Sequence, residues 1–489
     1  MIPYRDRRYN GSTPPGFLAE HALPEGLGNV SKQASQIFTN LHTHGFQVSP
    51  NDPADNVYLA VQPGQCHQYA YDILDGIPAT NAVGLPTPPQ PAGLHWYHPH
   101  FHGSTTHQGW QGLSGAIVIE GDIDKVPTVA AASERLLVLN ELWVDDNGSV
   151  PTALVIPNAG WSPFTSIPAV ATNLIFTING RFQPTMKIKE GETQRWRVLA
   201  AGPHRFFHLE VEGHSLYQIA QDGIPFAHAK KVDRILLATG NRAEFIIKGG
   251  PAKPGGYKIR ALAYEQGHPG GKCPKHLLGT LISEGKQEPA GVIPDKLVTP
   301  FKIPQYLIDE LKTHPERHRT IVFRGNISSV PVKFTVNDKA FQLDPKTWWN
   351  QLPADPRPTP GTVEEWTLVN EDIFQHPFHI HVNPFQVIEV NGVPINDQTW
   401  NVDPDIWWDV FRLPSHTSQN SKPPSVKIRM CFRPDAPGLT VYHCHILPHE
   451  DNGMMASVFI NKNGDSGTTK PQVKPNCPDC QSCQVKGAE

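Results

Sequence analysis

The sequence predicts an all-β protein made of three consecutive Greek-key β-sandwich domains. The first observation is composition, because 49 prolines and 40 glycines interrupt the chain too often for long helices and favour short strands joined by turns. The second is a series of short runs that are rich in β-branched residues and bounded by turn formers. Examples are GAIVIE (115–120), RLLVLNELWV (135–144), AEFIIKG (243–249) and TIVFRG (320–325). Repeated sandwiches accommodate many short strands of this kind.

These runs group into three strand-rich blocks followed by a polar tail. We predict domains at residues 1–150, 151–315 and 316–465, with a cysteine-containing flexible tail at 466–489. A chain of 489 residues has enough material for three buried cores. The one helix expected near a boundary is PQYLIDELKTH (304–314), in the stretch that connects the second and third blocks.

Charge and hydropathy exclude some classes of partner. A net charge of -4 gives no reason to expect nucleic acid or an anionic membrane as a partner. No apolar run approaches the length that spans a bilayer. The chain does not start with a basic segment followed by an apolar one, so no signal peptide is visible.

Four short segments carry the most informative of the 24 histidines. They are LHTHG (41–45), WYHPH (96–100), HPFHIH (376–381) and HCHILPHEDNGMM (443–455). Each contains a His-x-His pair, and residues two apart on a strand project from the same face, so each pair directs two imidazoles at one point. A single pair could be two surface histidines on a strand, but four pairs supply eight imidazoles, enough to surround several metal ions. Because two pairs lie in the first block and two in the last, we expect this cluster at an interface between those blocks.

The fourth segment predicts a second kind of metal site. Cys444 lies between His443 and His445, so on a strand its sulfur points to the opposite face. Two histidines, one thiolate and a weak thioether form the ligand set of a blue-copper electron-transfer site. The candidates for that set are His376, Cys444, His449 and Met454. Individually, a free cysteine or a methionine is more often core filler; their occurrence together beside the pairs favours the metal site.

With these residues in view, the sequence resembles the multicopper oxidase family, and within it the three-domain laccases, including bacterial ones. The four segments match the family's four copper motifs in order, identity and spacing, and weaker similarity extends over nearly all of residues 37–462, as in VEEWTLVN (363–370). The resemblance implies cupredoxin-like domains and four copper ions, one of type 1, one of type 2 and two of type 3. It also implies four one-electron oxidations of phenolic or similar small reductants at the type 1 copper, coupled to reduction of dioxygen to water at the other three.

The resemblance further implies a role for each motif residue. The type 1 copper would be held by His376, Cys444 and His449, with Met454 as axial neighbour, and the type 2 copper by His42 and His379. The type 3 pair would be held by His44, His98, His100, His381, His443 and His445. The middle domain would hold no copper and would act as a spacer and as part of the substrate wall.

Dioxygen reduction consumes protons, so a carboxylate near the cluster is expected. Glu450 and Asp55 match acidic positions in similar enzymes and are the candidate catalytic residues. For each of them the alternative is a solvated surface acid. An axial methionine also predicts a low-to-middle reduction potential for this family.

Other features depart from the family pattern. The family's opening strands are hard to find in residues 1–36, and only five methionines are present, so the methionine-rich insert of the cuprous-oxidase branch is absent. The terminal CPDCQSC, with Cys477, Cys480 and Cys483, has metal-ligand spacing but only three thiols. We favour a flexible tail over a zinc or copper-delivery site. The remaining histidines, including His95, His102 and His107, are expected to be structural or on the surface.

Several functions stay open at this stage. Within the oxidase class the substrate could be a phenol, bilirubin or a metal ion, whereas a nitrite reductase needs fewer paired imidazoles. A non-catalytic scaffold would lack ligands, and none is missing, while a copper-buffering protein has specific support only from the cysteine tail. We expect a secreted or periplasmic location, although the sequence shows no export signal.

Overall fold

A computed structural model describes most of the chain between residues 38 and 461. The described residues are 38–63, 65–73, 89–143, 174–267, 273–289, 291–326, 333–343, 355–395, 405–419 and 421–461. The expectations for the opening strands in residues 1–36 and for the terminal cysteines lie outside these ranges. None of the described helices is long and apolar enough to cross a membrane.

The first block contributes one antiparallel sheet in the order β1-β2-β3 and two short helices, α1 and α2. These elements are β1 His42–His44, β2 Gly93–His98, α1 Thr105–Trp110, β3 Gly115–Ile119 and α2 Pro127–Ala131, with a 3-10 turn at Asp122–Lys125. The register places His42 opposite His98, so the first two His-x-His motifs lie side by side. Leu94 of β2 packs in one cluster with Leu199 of the middle block.

The middle block is a sandwich of a seven-stranded and a five-stranded sheet. Its strands are β4 Ser133–Trp143, β5 Leu174–Ile178, β6 Arg181–Phe182, β7 Thr185–Ile188, β8 Thr193–Ala200, β9 Phe207–Val211, β10 Leu216–Gln221, β11 Ile224–Val232, β12 Arg234–Leu237, β13 Arg242–Lys248, β14 Tyr257–Leu262 and β15 His276–Ser283. The orders are β11-β10-β13-β8-β4-β5-β6 and β12-β9-β14-β15-β7. Trp196 and Phe245 from the first sheet share one core with Leu209 and Ile259 from the second.

Strand β4 lies before the predicted limit at residue 150 but pairs with β5 and β8 of the middle sandwich. Leu137 and Leu139 of this strand are buried in the middle core, which is why it joins that sheet. The predicted first domain therefore includes a strand that belongs structurally with the second. The position of the domain boundary remains a prediction.

The last block is a second sandwich, preceded by helix α3. Its elements are α3 Gln305–Glu310, β16 His318–Asn326, β17 Lys333–Val336, β18 Val363–Asn370, β19 His376–Ile380, β20 Phe385–Val390, β21 Val393–Pro394, β22 Trp407–Trp408, β23 Val410–Leu413, β24 Ser425–Cys431, β25 Gly438–Cys444, α4 Leu447–Asp451 and β26 Met455–Ile460, with a 3-10 turn at Pro315–Arg317. The sheet orders are β17-β16-β18-β24-β20-β21, with β22 beside β20, and β23-β19-β25-β26. Helix α3 is shorter than the predicted 304–314, because residues 311–313 form a turn instead.

The described residues confirm the all-β prediction, and the predicted strand runs coincide with β3, β4, β13 and β16. The first and last blocks also meet. Phe38 and Phe101 of the first block share a buried cluster with Leu439 and Phe459 of the last. The Tyr58 hydroxyl adds a hydrogen bond across this interface, to the Thr440 carbonyl oxygen at 3.1 Å.

Candidate metal centre

The candidate metal centre has two pockets. The smaller pocket consists of two imidazoles and one thiol, all fully buried. His376 Nδ1 lies 3.3 Å from Cys444 Sγ and 3.2 Å from His449 Nδ1, and Cys444 Sγ lies 3.7 Å from His449 Nδ1. Ligands bound to one ion at about 2.0–2.3 Å in a roughly tetrahedral arrangement stand about 3.2–3.7 Å apart. The three atoms are therefore arranged to share one metal ion.

Local sequence explains how His449 returns to Cys444, the last residue of β25. Pro448 stands in the first turn of α4, where its fixed φ favours helix and its missing N–H is not needed. The helix turns the chain back so that His449 faces the thiol, and the Ile446 amide donates to Cys444 Sγ at 3.5 Å. Gly453 follows at φ +111°, and a Cβ there would lie 2.7 Å from the Phe334 carbonyl oxygen, so glycine is required.

Met454 is buried beside this pocket. Its carbonyl oxygen accepts from the Cys444 amide at 3.0 Å, and its own amide donates to the His449 carbonyl at 3.0 Å. The backbone thus holds Met454 next to both predicted ligands. Its role as the axial ligand remains a prediction.

Aromatic side chains pack against this pocket. Phe334 of β17 stacks on His449 with ring centroids 4.1 Å apart, and Phe374 meets the same imidazole edge-on at 5.2 Å. One carboxylate also reaches the pocket, because Asp372 Oδ2 lies 3.1 Å from His376 Nε2. With Nδ1 directed at the shared position, His376 donates its Nε2–H to Asp372. Neither Phe334 nor Asp372 was identified from the sequence.

The larger pocket contains eight buried imidazoles. Three pairs of ring nitrogens are close together: His100 Nε2 and His443 Nε2 at 3.1 Å, His381 Nε2 and His443 Nε2 at 3.3 Å, and His44 Nδ1 and His445 Nε2 at 3.2 Å. These separations are those of two nitrogens on one ion at about 2.0–2.1 Å. All eight predicted imidazoles converge here, from β1, β2, β19, β25 and the residues that follow the last three strands.

Most of these rings are oriented by an acceptor on their outer nitrogen. His98 Nδ1 lies 3.0 Å from the Pro99 carbonyl oxygen, His379 Nδ1 lies 2.7 Å from the Asp409 carbonyl, and His443 Nδ1 lies 3.1 Å from that of Cys444. Such bonds set the tautomer that leaves the other nitrogen free to bind metal. The Nε2 atoms of His42, His98 and His379 are buried and have no hydrogen-bond partner among the described residues. Buried polar atoms are rarely left unpaired, so these three unpaired nitrogen atoms fit a metal site.

Electrostatics favour the metal-binding form of the rings. Burial lowers the pKa of His98 to about 4 and that of His443 to about 3. Burial, reinforced by neighbouring histidines, lowers the pKa of His42 well below its ordinary value. The imidazoles are therefore neutral, which is the state that binds metal ions.

Both predicted acids lie against this pocket. Asp55 Oδ2 accepts from His42 Nδ1 at 2.8 Å, and burial raises the pKa of Asp55 to about 7. Glu450 Oε2 lies 3.3 Å from His443 Nδ1 and its Oε1 lies 3.6 Å from His100 Nδ1; burial raises its pKa as well. Neither is a solvated surface acid. Their catalytic role stays a prediction.

A third carboxylate was missed from the sequence. Asp409, between β22 and β23, has its Oδ1 3.3 Å from His44 Nε2, and burial raises its pKa to about 7. The two residues are 365 positions apart, so no local signal marks Asp409. A small cleft beside His379 is lined by Gln47, Asp222 and Asp409, one from each block.

A two-histidine, one-cysteine pocket beside a cluster of eight histidines has the donor set of a transition-metal protein, with copper suited to both groups of donors. Family descriptions of multicopper oxidases match residues 134–274 and 327–464, together more than half of the chain. The chain belongs to the multicopper oxidase family.

Relatives and solved structures agree with that assignment. The chain is 24% identical to a laccase of Bacillus subtilis over 392 residues, covering 76% of this chain and 71% of the relative. It is 24% identical to a laccase of Haloferax volcanii over 470 residues, covering 91% and 73%. Among solved structures, a multicopper oxidase from Campylobacter jejuni, described as a metallo-oxidase, matches with a TM-score of 0.64 at 22% identity, covering 87% of this chain and 81% of that one.

The family resemblance and the cupredoxin-like β-sandwich fold predicted from the sequence are thus confirmed. The protein is an oxidase with copper cofactors, and enzymes of this family use small-molecule reductants and dioxygen. The residues of both pockets fit copper ions in the type of donor atom and in the spacing of these atoms. The ring nitrogens without a hydrogen-bond partner fit as well.

Proposed function

We propose that this protein is a laccase-type oxidase with four copper ions. It would couple four one-electron oxidations of phenolic or similar small reductants to the reduction of dioxygen to water. The observation that carries the proposal is the convergence of Cys444 and every histidine predicted to bind copper into two buried pockets with metal-ligand spacing.

The close nitrogen pairs support the assignment of ligands to four ions. His44 and His445 would share one type 3 ion with His98, while His100, His381 and His443 would share the other. His42 and His379, with their unpaired Nε2 atoms, would hold the type 2 ion. His376, Cys444 and His449 would hold type 1, beside Met454. Bound copper supplies the one-electron chemistry.

The chain itself connects the two pockets. Cys444 lies opposite Phe378 in the β19–β25 ladder, and its neighbour His443 lies opposite His379, so thiol and imidazole leave adjacent positions on opposite faces. Two short covalent routes therefore run from the Cys444 thiol through the backbone, one to His443 and one to His445. Glu450 and Asp55 would hold protons beside the larger pocket.

Two substrate classes have specific support. The laccase relatives favour phenolic reductants. Asp372 at His376 favours a metal ion as an alternative, since a buried carboxylate at the outer nitrogen of a ligand attracts cations, and the Campylobacter jejuni structure is described as that of a metallo-oxidase. Initial rates with a phenol and with a ferrous salt, compared in wild type and Asp372→Asn, would separate them: a selective loss with the ferrous salt identifies the metal ion as substrate.

Copper content and oxygen uptake with a phenolic donor test the proposal. We expect four coppers per chain, a visible thiolate-to-copper band, and loss of that band and of oxygen uptake in Cys444→Ser. Cys431→Ser is a matched control, because Cys431 is also buried and free but lies in another cluster. Copper without turnover would indicate a copper buffer, and neither copper nor turnover a scaffold; either result contradicts the proposal.

A further inference from the structure

Arg242, the first residue of β13, is a fully buried cation whose guanidinium is saturated with hydrogen bonds. An arginine side chain has five N–H donors in a rigid plane. The acceptors are the Leu94 carbonyl for Nε at 3.0 Å, the Gly240 carbonyl at 3.0 Å and Asp409 Oδ1 at 2.7 Å for Nη1, and the Asp222 carbonyl at 2.9 Å and Asp409 Oδ2 at 2.6 Å for Nη2. No donor is left over.

These acceptors come from all three blocks. Leu94 belongs to β2 of the first block, Gly240 and Asp222 to the middle block, and Asp409 to the last. The Arg242 side chain therefore lies at the point where the three blocks meet. Two charge-assisted bonds to a single carboxylate form a bidentate pair, which constrains the orientation of that carboxylate as well as its position.

Asp409 in turn contacts two of the predicted copper ligands. Its Oδ1 lies 3.3 Å from His44 Nε2, and its backbone carbonyl lies 2.7 Å from His379 Nδ1. The Asp409 amide is itself held by Asp222 Oδ2 at 3.2 Å. The position of this one residue thus determines the orientation of one ring assigned to type 3 and one assigned to type 2.

We propose that Arg242 is a positioning residue for the trinuclear copper site. By binding both oxygens of Asp409, it holds the carboxylate against His44 Nε2 and the Asp409 carbonyl against His379 Nδ1. His44 then presents Nδ1, and His379 presents Nε2, to the copper ions. The middle block is accordingly more than a spacer. This inference rests on the proposed four-copper site.

Glycines around the guanidinium support this role. Gly45 of the LHTHG motif has φ +90°, and a Cβ there would collide with Arg242 Nη2. Gly240 has φ +86°, and its Cβ would lie 3.1 Å from atoms of His44 and of His445. Two backbone segments thus approach the arginine and the imidazoles more closely than any side chain allows.

The test compares Arg242→Lys and Arg242→Gln with wild type. Lysine keeps the charge but lacks the planar guanidinium group, and glutamine lacks both. Neither variant can therefore form the bidentate pair with Asp409. Losing the partner of a ligating histidine costs about tenfold to a hundredfold in metal affinity. We expect that loss for the trinuclear coppers, measured by copper titration of the apoprotein and by paramagnetic resonance of an uncoupled type 3 pair. The visible band of the Cys444 copper should be unchanged.

Arg195→Gln is the matched control. Arg195 is also buried and its guanidinium also bonds two carboxylates, Glu244 and Asp124, but it contacts none of the eight histidines. Equal loss of copper in this control would overturn the proposal, because it would reduce the effect to general destabilisation. Melting of each apoprotein shows whether it is folded, and if Arg242→Gln fails to fold, Arg242→Lys decides.

A double-variant cycle tests whether Arg242 acts through Asp409. If it does, Arg242→Gln combined with Asp409→Asn should weaken copper binding no more than the stronger single change, since coupled residues are not additive. Additive losses, or wild-type copper affinity in both Arg242 variants, would refute the inference. Failure of the wild-type protein to bind copper would instead refute the proposed function, so the two outcomes are distinct.

Discussion

Replacing Asp372 by asparagine should raise the reduction potential of the proposed type 1 copper. The carboxylate accepts a hydrogen bond from His376 Nε2 at 3.1 Å, and both side chains are buried. A negative acceptor makes the imidazole a stronger donor and stabilises the more positive, oxidised ion. Asparagine keeps an acceptor of similar shape and removes the charge.

The size of the shift follows from the strength of this one bond. A buried hydrogen bond contributes about 0.5–1.5 kcal/mol when neutral and about 1.5–3 kcal/mol when one partner is charged, so about 1–1.5 kcal/mol is lost. For a one-electron couple, about 59 mV corresponds to a tenfold change in equilibrium constant, or roughly 43 mV per kcal/mol. The upper limit of the shift is therefore roughly 40–65 mV.

A redox titration that follows the visible band of the Cys444 copper measures this potential directly. Glu371→Gln is the control, because Glu371 is the sequence neighbour of Asp372 but pairs with Arg324 instead of His376. An unchanged or lower potential in Asp372→Asn would refute the reasoning. A wild-type potential at the high end of the family range would separately refute the prediction drawn from Met454.

Three further predictions concern other buried groups. Glu450→Gln should slow oxygen uptake and leave the visible band intact, because only the protonatable oxygens near His443 Nδ1 change; wild-type turnover would remove Glu450 from the mechanism. Burial raises the pKa of Glu141 to about 7 from 4.5, so its stabilising contribution is complete below about pH 4.5 and is lost as the pH rises through 7. Glu141→Gln should therefore lessen the fall in apoprotein stability between about pH 4.5 and about pH 7, measured by urea unfolding. A fall as steep as in wild type would contradict this. Phe334→Ala should destabilise the apoprotein by about 3–5 kcal/mol, since it empties a buried site against His449, and a loss below about 1 kcal/mol would contradict that packing.

The grouping of the candidate ligands could be predicted because its signal is local. A period of two along a strand places both imidazoles of a pair on one face, and Cys444 between His443 and His445 faces the other pocket for the same reason. Turn-bounded, β-branched runs likewise predicted strands such as β13 and β16. Each of these inferences needs only a few consecutive residues.

The remaining features depend on contacts that span the chain. Asp409 reaches His44 from 365 positions away, and Arg242 reaches Leu94 across 148. Strand β4 joins the middle sandwich through pairing with β8, a choice that its own alternation of apolar residues does not specify. Asp372 is four residues from His376, but nothing in that spacing shows that its side chain turns toward the ring.

Helix α4 shows how one local motif joins these longer contacts into a single site. In this helix, His449 contacts the smaller pocket, Glu450 contacts the larger pocket and Asp451 contacts the first block. The Asp451 carboxylate accepts from the Gly103 amide at 2.6 Å and the Thr106 amide at 2.7 Å, at the start of α1. Because one five-residue helix carries all three contacts, a shift of this helix displaces the Cys444 partner, the acid beside His443 and the interface together. The same segment therefore contributes to both pockets and to the contact between the first and last blocks.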